Sequence, residues 1–409
     1  MKVVIAMDSF KGSLSSMEAG NAVKEGLCRV FPGAEAVIKP LADGGEGTVE
    51  ALVTGMGGVM ESVTVTGPLG EPVECRYGMI EKGDAAGEDG VSAKTAVIEM
   101  AGAAGLVLVP PEKRNPLFTT TYGVGEVIRD GIQKGCRRFL VGIGGSATND
   151  GGVGMLQALG YDFLDEEGNQ IPFGAQGLEK LCRIIDDHVL PELKECEFKI
   201  ACDVENPLCG QSGCSAVYGP QKGADEDMVR RMDEWMARYA SLAKKQYPKA
   251  APQQKGAGAA GGLGFGFVTF TNAELESGIQ IVLRETGLAQ EISDADLVIT
   301  GEGRLDGQTA MGKAPVGAAR LAKSYGKTVF ALAGSVTGEA RGCNAQGIDA
   351  FFPAVRGITT LSEAMERENA RANLADTTEQ VFRCYLAGRK EKEGRKPLKA
   401  GCTNFPKSI

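Results

Sequence analysis

The chain has 409 residues, 43% of them hydrophobic and 24% charged, the balance of an ordinary soluble globular protein of two or three domains. That balance argues against collagen, intrinsic disorder and a coiled coil. Lys and Arg number 44 against 53 Asp and Glu, a net charge of -9, so a nucleic-acid-binding surface has no compositional support.

The first sixty residues read as two strand-helix units. KVVIAMD is a continuous apolar run ending in a carboxylate, as expected of a strand buried on both faces. Ser15 and Glu18 then form a capping box, with Ala19, Val23, Leu27 and Val30 following at helical spacing. EAVIKPLAD repeats the strand and GEGTVEALVTG the helix. Near Met60 the period changes to two: Val63 and Val65, then Val73, Cys75, Tyr77 and Met79, alternate with polar residues. This predicts an antiparallel meander that takes in TAVIEM after an acidic, Gly-rich loop at 81–90. Helix-strand alternation returns with TYGVGEVIRDGIQKG, RRFLVGIGG and CEFKIACDV.

From Asp225 to Gln246 the pattern predicts a helix with Met228, Met232, Trp235, Tyr239 and Leu242 as one packing stripe. APQQKGAGAAGGLGFGF is expected to be a Gly/Ala-rich loop. The opening pattern resumes in ADLVIT, a helix from Pro315, KTVFALAG and DAFFPAV, and a capping box of Thr360 and Glu363 starts a last helix to about Ala387. From Arg389 the tail carries seven Lys or Arg against two Glu and reads as a solvated end.

Several chemistries are unsupported. No apolar run reaches 18 residues and MKVVIAMDSF has no signal-peptide core, so the expectation is a cytoplasmic protein without a membrane partner. The eleven cysteines are odd in number and include no CxxC. Cys28, Cys202 and Cys384 sit in apolar stretches, as small core residues do. Cys209 and Cys214 lack the two further ligands that a zinc site needs. The one histidine, His188, excludes HExxH and lies far from any nucleophile motif. What remains is carboxylates, Lys, Arg and backbone amides, a repertoire suited to phosphoryl transfer.

Glycine is the outlier, 58 residues or about 14% of the chain, clustered in short runs. GAGAAG at 256–261 spells GxGxxG but follows no strand. GQTAMGKA at 307–314 resembles a Walker motif, yet Ala314 replaces the Mg2+-binding Ser or Thr and six residues separate Gly307 from the strand end at Gly301. Lys313, at a helix start, could still pair with phosphate. The stronger signal is recurrence. DSFKGS, LADGGEG, GGSATND, DVENP and TGEGRLDGQT each follow an apolar strand and mix carboxylates, glycines and often a cation. Carboxylates can hold Mg2+, glycine amides cradle anions, and Lys or Arg neutralise charge.

In order, MDSFKGSLSS, PLADGGEGT, GIGGSATNDGG, ACDVENPLCG, YGPQKGA and TGEGRLDGQTAMGKAP closely resemble the class I glycerate kinases of bacteria, over residues 1 to about 385. The resemblance implies a two-domain α/β fold: a flavodoxin-like parallel-sheet domain built from 1–62 and 290–388, and an inserted α/β domain at 63–289, with 389–409 a basic tail. It also implies ATP-dependent phosphorylation of D-glycerate to 2-phosphoglycerate with Mg2+. A kinase giving 3-phosphoglycerate or acting on another short sugar acid, and a non-catalytic anion-binding protein, are the alternatives. A homodimer is compatible with all of this.

Roles follow from chemistry and position. Lys11 and Arg304 are the cations within the motifs, and Asp203 is the expected base, with Asp150 in reserve. Asp8, Asp43, Glu302 and Asp306 are the candidate Mg2+ ligands. Ser9, Gly44, Gly45, Gly144, Gly145, Ser146, Thr148, Asn149, Asn206 and Lys313 are expected to contact substrate or phosphate.

Overall fold

The computed structural model describes residues 1–42, 44–45, 47–81 and 94–394, the side chains of the last six excepted. Asp43, nearly all of the acidic loop and the basic side chains of the tail lie outside the described residues. The N-terminal part supplies β1 (Lys2–Met7) and β2 (Glu35–Ile38). The middle supplies β3 (Val59–Thr66), β4 (Pro72–Ile80), β5 (Lys94–Glu99), β6 (Cys136–Gly142), β7 (Asp162–Leu164), β8 (Arg183–Ile185), β9 (Glu197–Ala201) and β10 (Ala273–Glu276). The C-terminal part supplies β11 (Leu297–Leu305), β12 (Thr328–Val336) and β13 (Ala350–Pro353).

The two chain ends share one parallel sheet, in the order β13-β12-β11-β1-β2. Counted along that domain alone, this is the flavodoxin-like 2-1-3-4-5 order. Its apolar strands are covered on both faces, as their unbroken hydrophobic runs require. On one face Val3, Ile5 and Met7 pack with Ala19, Val23, Leu27, Leu374 and Phe382 from the helices Ser16–Val30 and Arg367–Gly394. On the other, Val4, Ala6, Val298 and Ala331 join the helix Ala314–Ser324.

The inserted domain is a mixed six-stranded sheet, β10-β9-β6-β5-β4-β3. β3, β4 and β5 form the antiparallel meander; β5, β6, β9 and β10 are parallel. This sheet begins at Val59, within the stretch expected to belong to the first domain. The helix Thr48–Met56 also packs toward it: Val49 and Leu52 share a cluster with Ile80, Val97, Leu140 and Ala201, and that cluster continues into Val4 and Ala6. One apolar layer therefore joins the two sheets. The opposite face of the inserted sheet, with Phe139 and Phe198, is covered by the helices Tyr122–Gln133 and Ala259–Phe270, and the helix Glu226–Gln246 packs on the latter through Tyr239 and Phe265.

Three local expectations change. The Gly/Ala-rich segment is a loop only in its first part: turns run to Gly258, Ala260, Gly261 and Gly262 take left-handed values at a kink, and from Leu263 to Phe270 the chain is a buried helix. Glycine is required there, because a Cβ at Gly261 would stand 2.0 Å from the Thr148 carbonyl oxygen. β11 extends four residues past Gly301 because Glu302, Arg304 and Leu305 pair with Ala333, Ser335 and Val336 of β12. The Thr360 capping box is present, but it starts a short helix, Leu361–Met365, that breaks at Glu366 before the long one. The Met232, Trp235 and Tyr239 stripe is buried, whereas Cys384 is exposed.

Candidate active site

In a sheet of this order, the crevice for ligands opens where strand order reverses, at the carboxyl ends of β1 and β11. Met7 pairs with Gly301 there, so Asp8, where the chain leaves β1, comes beside Glu302, which continues β11. Both are buried, and the Asp8 amide donates to the Gly301 carbonyl at 2.8 Å. The chain then turns tightly: Phe10 and Leu14 exchange backbone bonds of 2.8 and 3.0 Å. Gly12 takes φ +75° in this turn, and Lys11 is exposed at its tip.

On the β11 side, Glu302 is buried and Arg304, nearer the end of the strand, is exposed. Asp306 caps the short helix Gly307–Ala310, its Oδ1 accepting from the Gln308 and Thr309 amides at 2.9 and 3.2 Å. Its Oδ2 meets the Arg304 guanidinium at 3.3 Å. Burial alone would raise the Asp306 carboxyl, but the amides of Thr309 and Gln308, with Arg304 and Lys313, outweigh it and hold it below the usual range. The Thr309 hydroxyl donates to Glu302 Oε1 at 2.5 Å and fixes that side chain. Lys313 stands at the N-cap of the helix Ala314–Ser324.

Together these residues line a cleft of about 490 Å3. Asp8, Ser9, Lys11, Glu302, Arg304, Asp306 and Lys313 form its polar side; Val355, Leu361 and Met365 form an apolar wall. Lys313 and Gln308 also border an adjoining groove of about 1170 Å3 that contains Asp203.

The loop after β2 connects this cleft to the inserted domain. Gly44, at φ +88°, leaves so little room that a Cβ would stand 2.9 Å from Ala201 Cβ and 3.7 Å from Asp203 Oδ2. A Cβ at Gly142 would stand 2.6 Å from the Gly44 carbonyl oxygen, and one at Gly144 3.5 Å from Gly45 Cα. The ends of β2, β6 and β9 are thus pressed together. Asp203 is exposed, and its Oδ1 accepts from the Gly278 amide at 3.1 Å. Asn206 bridges two backbone segments, donating to the Ser212 carbonyl at 2.8 Å and accepting from Tyr218 Oη at 2.6 Å.

The GGSATND loop divides. Gly144 and Gly145 are exposed, but Ser146, Thr148, Asn149 and Asp150 are buried and do not line the cleft. Asp150 accepts from the Thr121 amide and hydroxyl, both at 2.8 Å, and from the Gly152 and Gly154 amides. Burial raises its carboxyl despite those bonds. Asn149 donates to Ser215 Oγ at 2.8 Å. Behind this loop stands Lys222, 2% exposed, donating to Ser146 Oγ at 2.8 Å and to the Thr148 carbonyl at 2.6 Å.

Sequence reading missed Lys222, although YGPQKGA had been singled out, because nothing in a linear motif shows that its lysine is buried. It also missed Thr309 and the apolar wall, which carry no chemical signature. Glu99 was passed over inside TAVIEM; its Oε1 accepts from the Val49 amide at 2.9 Å in the first turn of the helix Thr48–Met56. His188 is exposed, its Nδ1 2.8 Å from Asp162 Oδ2.

Comparison with known proteins identifies the family. The model of the glycerate kinase family matches residues 3–386. The chain belongs to that family. It is 47% identical to a glycerate kinase of Haemophilus influenzae over 383 residues, covering 94% of this chain and 98% of the relative. It is 48% identical to the glycerate 2-kinase of Escherichia coli K12 over 364 residues, covering 89% and 93%. The crystal structure of a glycerate kinase 2 from Salmonella typhimurium LT2 superposes with a TM-score of 0.86 at 45% identity, covering 95% of this chain and 99% of that one. The protein is accordingly an enzyme of the glycerate kinase family, a phosphotransferase that draws on a nucleotide. No helix among the described residues is long and apolar enough to cross a membrane.

Proposed function

We propose that the enzyme transfers the γ-phosphoryl group of ATP, bound with Mg2+, to O2 of D-glycerate, giving 2-phosphoglycerate. The mixed lining of the switch-point cleft supports this most directly. Phosphoryl transfer is catalysed mainly by positioning and by neutralising charge on the phosphoryl oxygens. Lys11, Arg304 and Lys313 supply that charge around one cavity. Its apolar wall of Val355, Leu361 and Met365 suits the face of a nucleobase. Asn373, beside that wall, has a side-chain amide to read the base edge.

Mg2+ at a phosphate site keeps several waters and takes only one or two protein carboxylates. Asp8, just past the end of β1, and Glu302, within the neighbouring β11, are both buried and fit that demand. Bound there, the ion would neutralise charge on the β- and γ-phosphates. Among the described residues no group of three or more metal-ligating side chains forms a ready cage. Both oxygens of Asp306 already have donors, which suits a cap better than a ligand.

Asp203, in the neighbouring groove and held by the Gly278 amide, is the base for the glycerate hydroxyl. It belongs to the inserted domain, so closure of that domain on the parallel-sheet domain completes the site and excludes water. The ten free cysteines among the described residues suit a cytoplasmic setting. The test is ADP release, coupled to a reporter, with a panel of short hydroxy-acids. No release with D-glycerate overturns the reading. Phosphorus NMR of the product decides the position: 3-phosphoglycerate would refute O2 transfer while leaving the kinase assignment standing.

A further inference from the structure

Lysine is among the residues least often fully buried, and one with no solvent must be held for a reason. Lys222 lies in the short helical turn Pro220–Lys222, and its ammonium reaches across 74 and 76 residues to the loop after β6. Its two bonds fall on Ser146 Oγ and the Thr148 carbonyl, so it fixes both a side chain and the backbone of that loop. Just before these anchors come Gly144 and Gly145. Their carbonyl side is fixed, since the Leu106 amide donates to the Gly145 oxygen at 2.8 Å. Their own amides donate to no described residue, and both glycines are exposed. Gly144 lies against Gly45, next to Gly44, where an added Cβ would stand 3.7 Å from Asp203 Oδ2. Two unpaired amides with a cation fixed behind them make an anion site.

We infer that Lys222 is a positioning residue for the substrate carboxylate, holding residues 144–148 so that the Gly144 and Gly145 amides receive the anion next to Asp203. This rests on the glycerate kinase reading and extends it: the carboxylate sits on the inserted domain, and the nucleotide on the parallel-sheet domain. The arrangement places the hydroxyl adjacent to the carboxylate within reach of the base.

The titratable groups facing Lys222 are Asp150, on the loop after β6, and Cys214, at the start of the helix Cys214–Tyr218. Neither forms a hydrogen bond with it, and burial lowers the ammonium to about 8, within the range where activity can be followed. The Cys214 thiol is pushed up to about 12 by its own burial and stays neutral through that range. Asp150, though raised by burial, is held by four donors.

Lys222→Met removes charge and bonds; Lys222→Gln keeps an amide donor without the charge. For both we expect KM for glycerate to rise at least tenfold with KM for ATP within about twofold. We also expect wild-type kcat/KM for glycerate to fall above pH 8, and that alkaline limb to vanish from both variants. A purely structural lysine would lower the amount of active enzyme without dividing the two KM values. A folded variant with wild-type KM for glycerate, or a flat wild-type profile from pH 7 to 9.5, overturns the inference while glycerate turnover itself upholds the kinase reading. Should neither variant fold, Ser146→Ala decides: it frees one ammonium proton and should raise KM for glycerate alone, and an unchanged value counts against the inference.

Discussion

Replacing Gly142 by Ala tests the contact that presses the two domains' loops together. Gly142 ends β6 and is paired on both sides, with Glu99 of β5 and Ala201 of β9, so it cannot move aside. An added Cβ would stand 2.6 Å from the Gly44 carbonyl oxygen, where ordinary contact begins near 3.4 Å. The loop after β2 must therefore retreat by roughly 0.8 Å. Overpacking of this kind costs about 1–3 kcal/mol of stability. The larger effect falls on catalysis, because misplacing a site by about 1 Å costs on the order of 100-fold, or about 2.7 kcal/mol of barrier. We expect kcat to fall by about that factor in a coupled ADP-release assay, with a folded protein by circular dichroism and a modest loss in urea unfolding. Gly33→Ala is the control, since a Cβ there meets nothing within 4 Å. A Gly142→Ala enzyme with kcat within threefold of wild type and unchanged stability would refute the claim that this junction sets the site's geometry.

Four further outcomes follow. Asp203→Asn should lower kcat by orders of magnitude with unfolding behaviour unchanged, and a rate near wild type would assign the base to another carboxylate. Asp306→Ser keeps a capping oxygen and should retain activity within about tenfold, whereas Glu302→Gln should lose most of it; equal losses would make Asp306 a ligand of the metal after all. Burial lowers Lys222 from 10.5 to about 8, so the unfolded chain binds more protons between those values and stability rises with pH across that window. The cost, on the order of 3 kcal/mol, is fully present below pH 8, and the wild-type slope from pH 8 to 10 should exceed that of Lys222→Gln in urea titrations. Small-angle scattering should show compaction with MgADP and glycerate; an identical profile would argue for a preformed site.

The sequence by itself determined most of the elements and the places where chemistry is carried. Buried parallel strands demand apolar runs such as KVVIAM and LVIT, and those runs are visible without any partner. The Ser15 capping box was equally readable, because capping is decided within four residues. The loops at the strand ends announced themselves through glycine and carboxylate together. What residue order could not show was which face each loop residue takes. In GGSATND, Gly144 reaches the surface while Asp150 turns inward to four donors, a difference set by partners at Thr121 that lie 29 residues away. Local pattern also stopped β11 at Gly301, because Glu302 and Arg304 look like loop residues until β12 pairs with them. The second part of the Gly/Ala-rich segment, from Leu263, lacked amphipathic periodicity because it is buried all round, and it therefore read as a loop. That both chain ends share a sheet was legible only through the family resemblance, and tertiary structure alone decided that Lys222 lies behind the GGSATND loop and that Asp306 caps a helix. Each depends on long-range packing and desolvation, which act between residues remote in sequence and leave no trace in spacing.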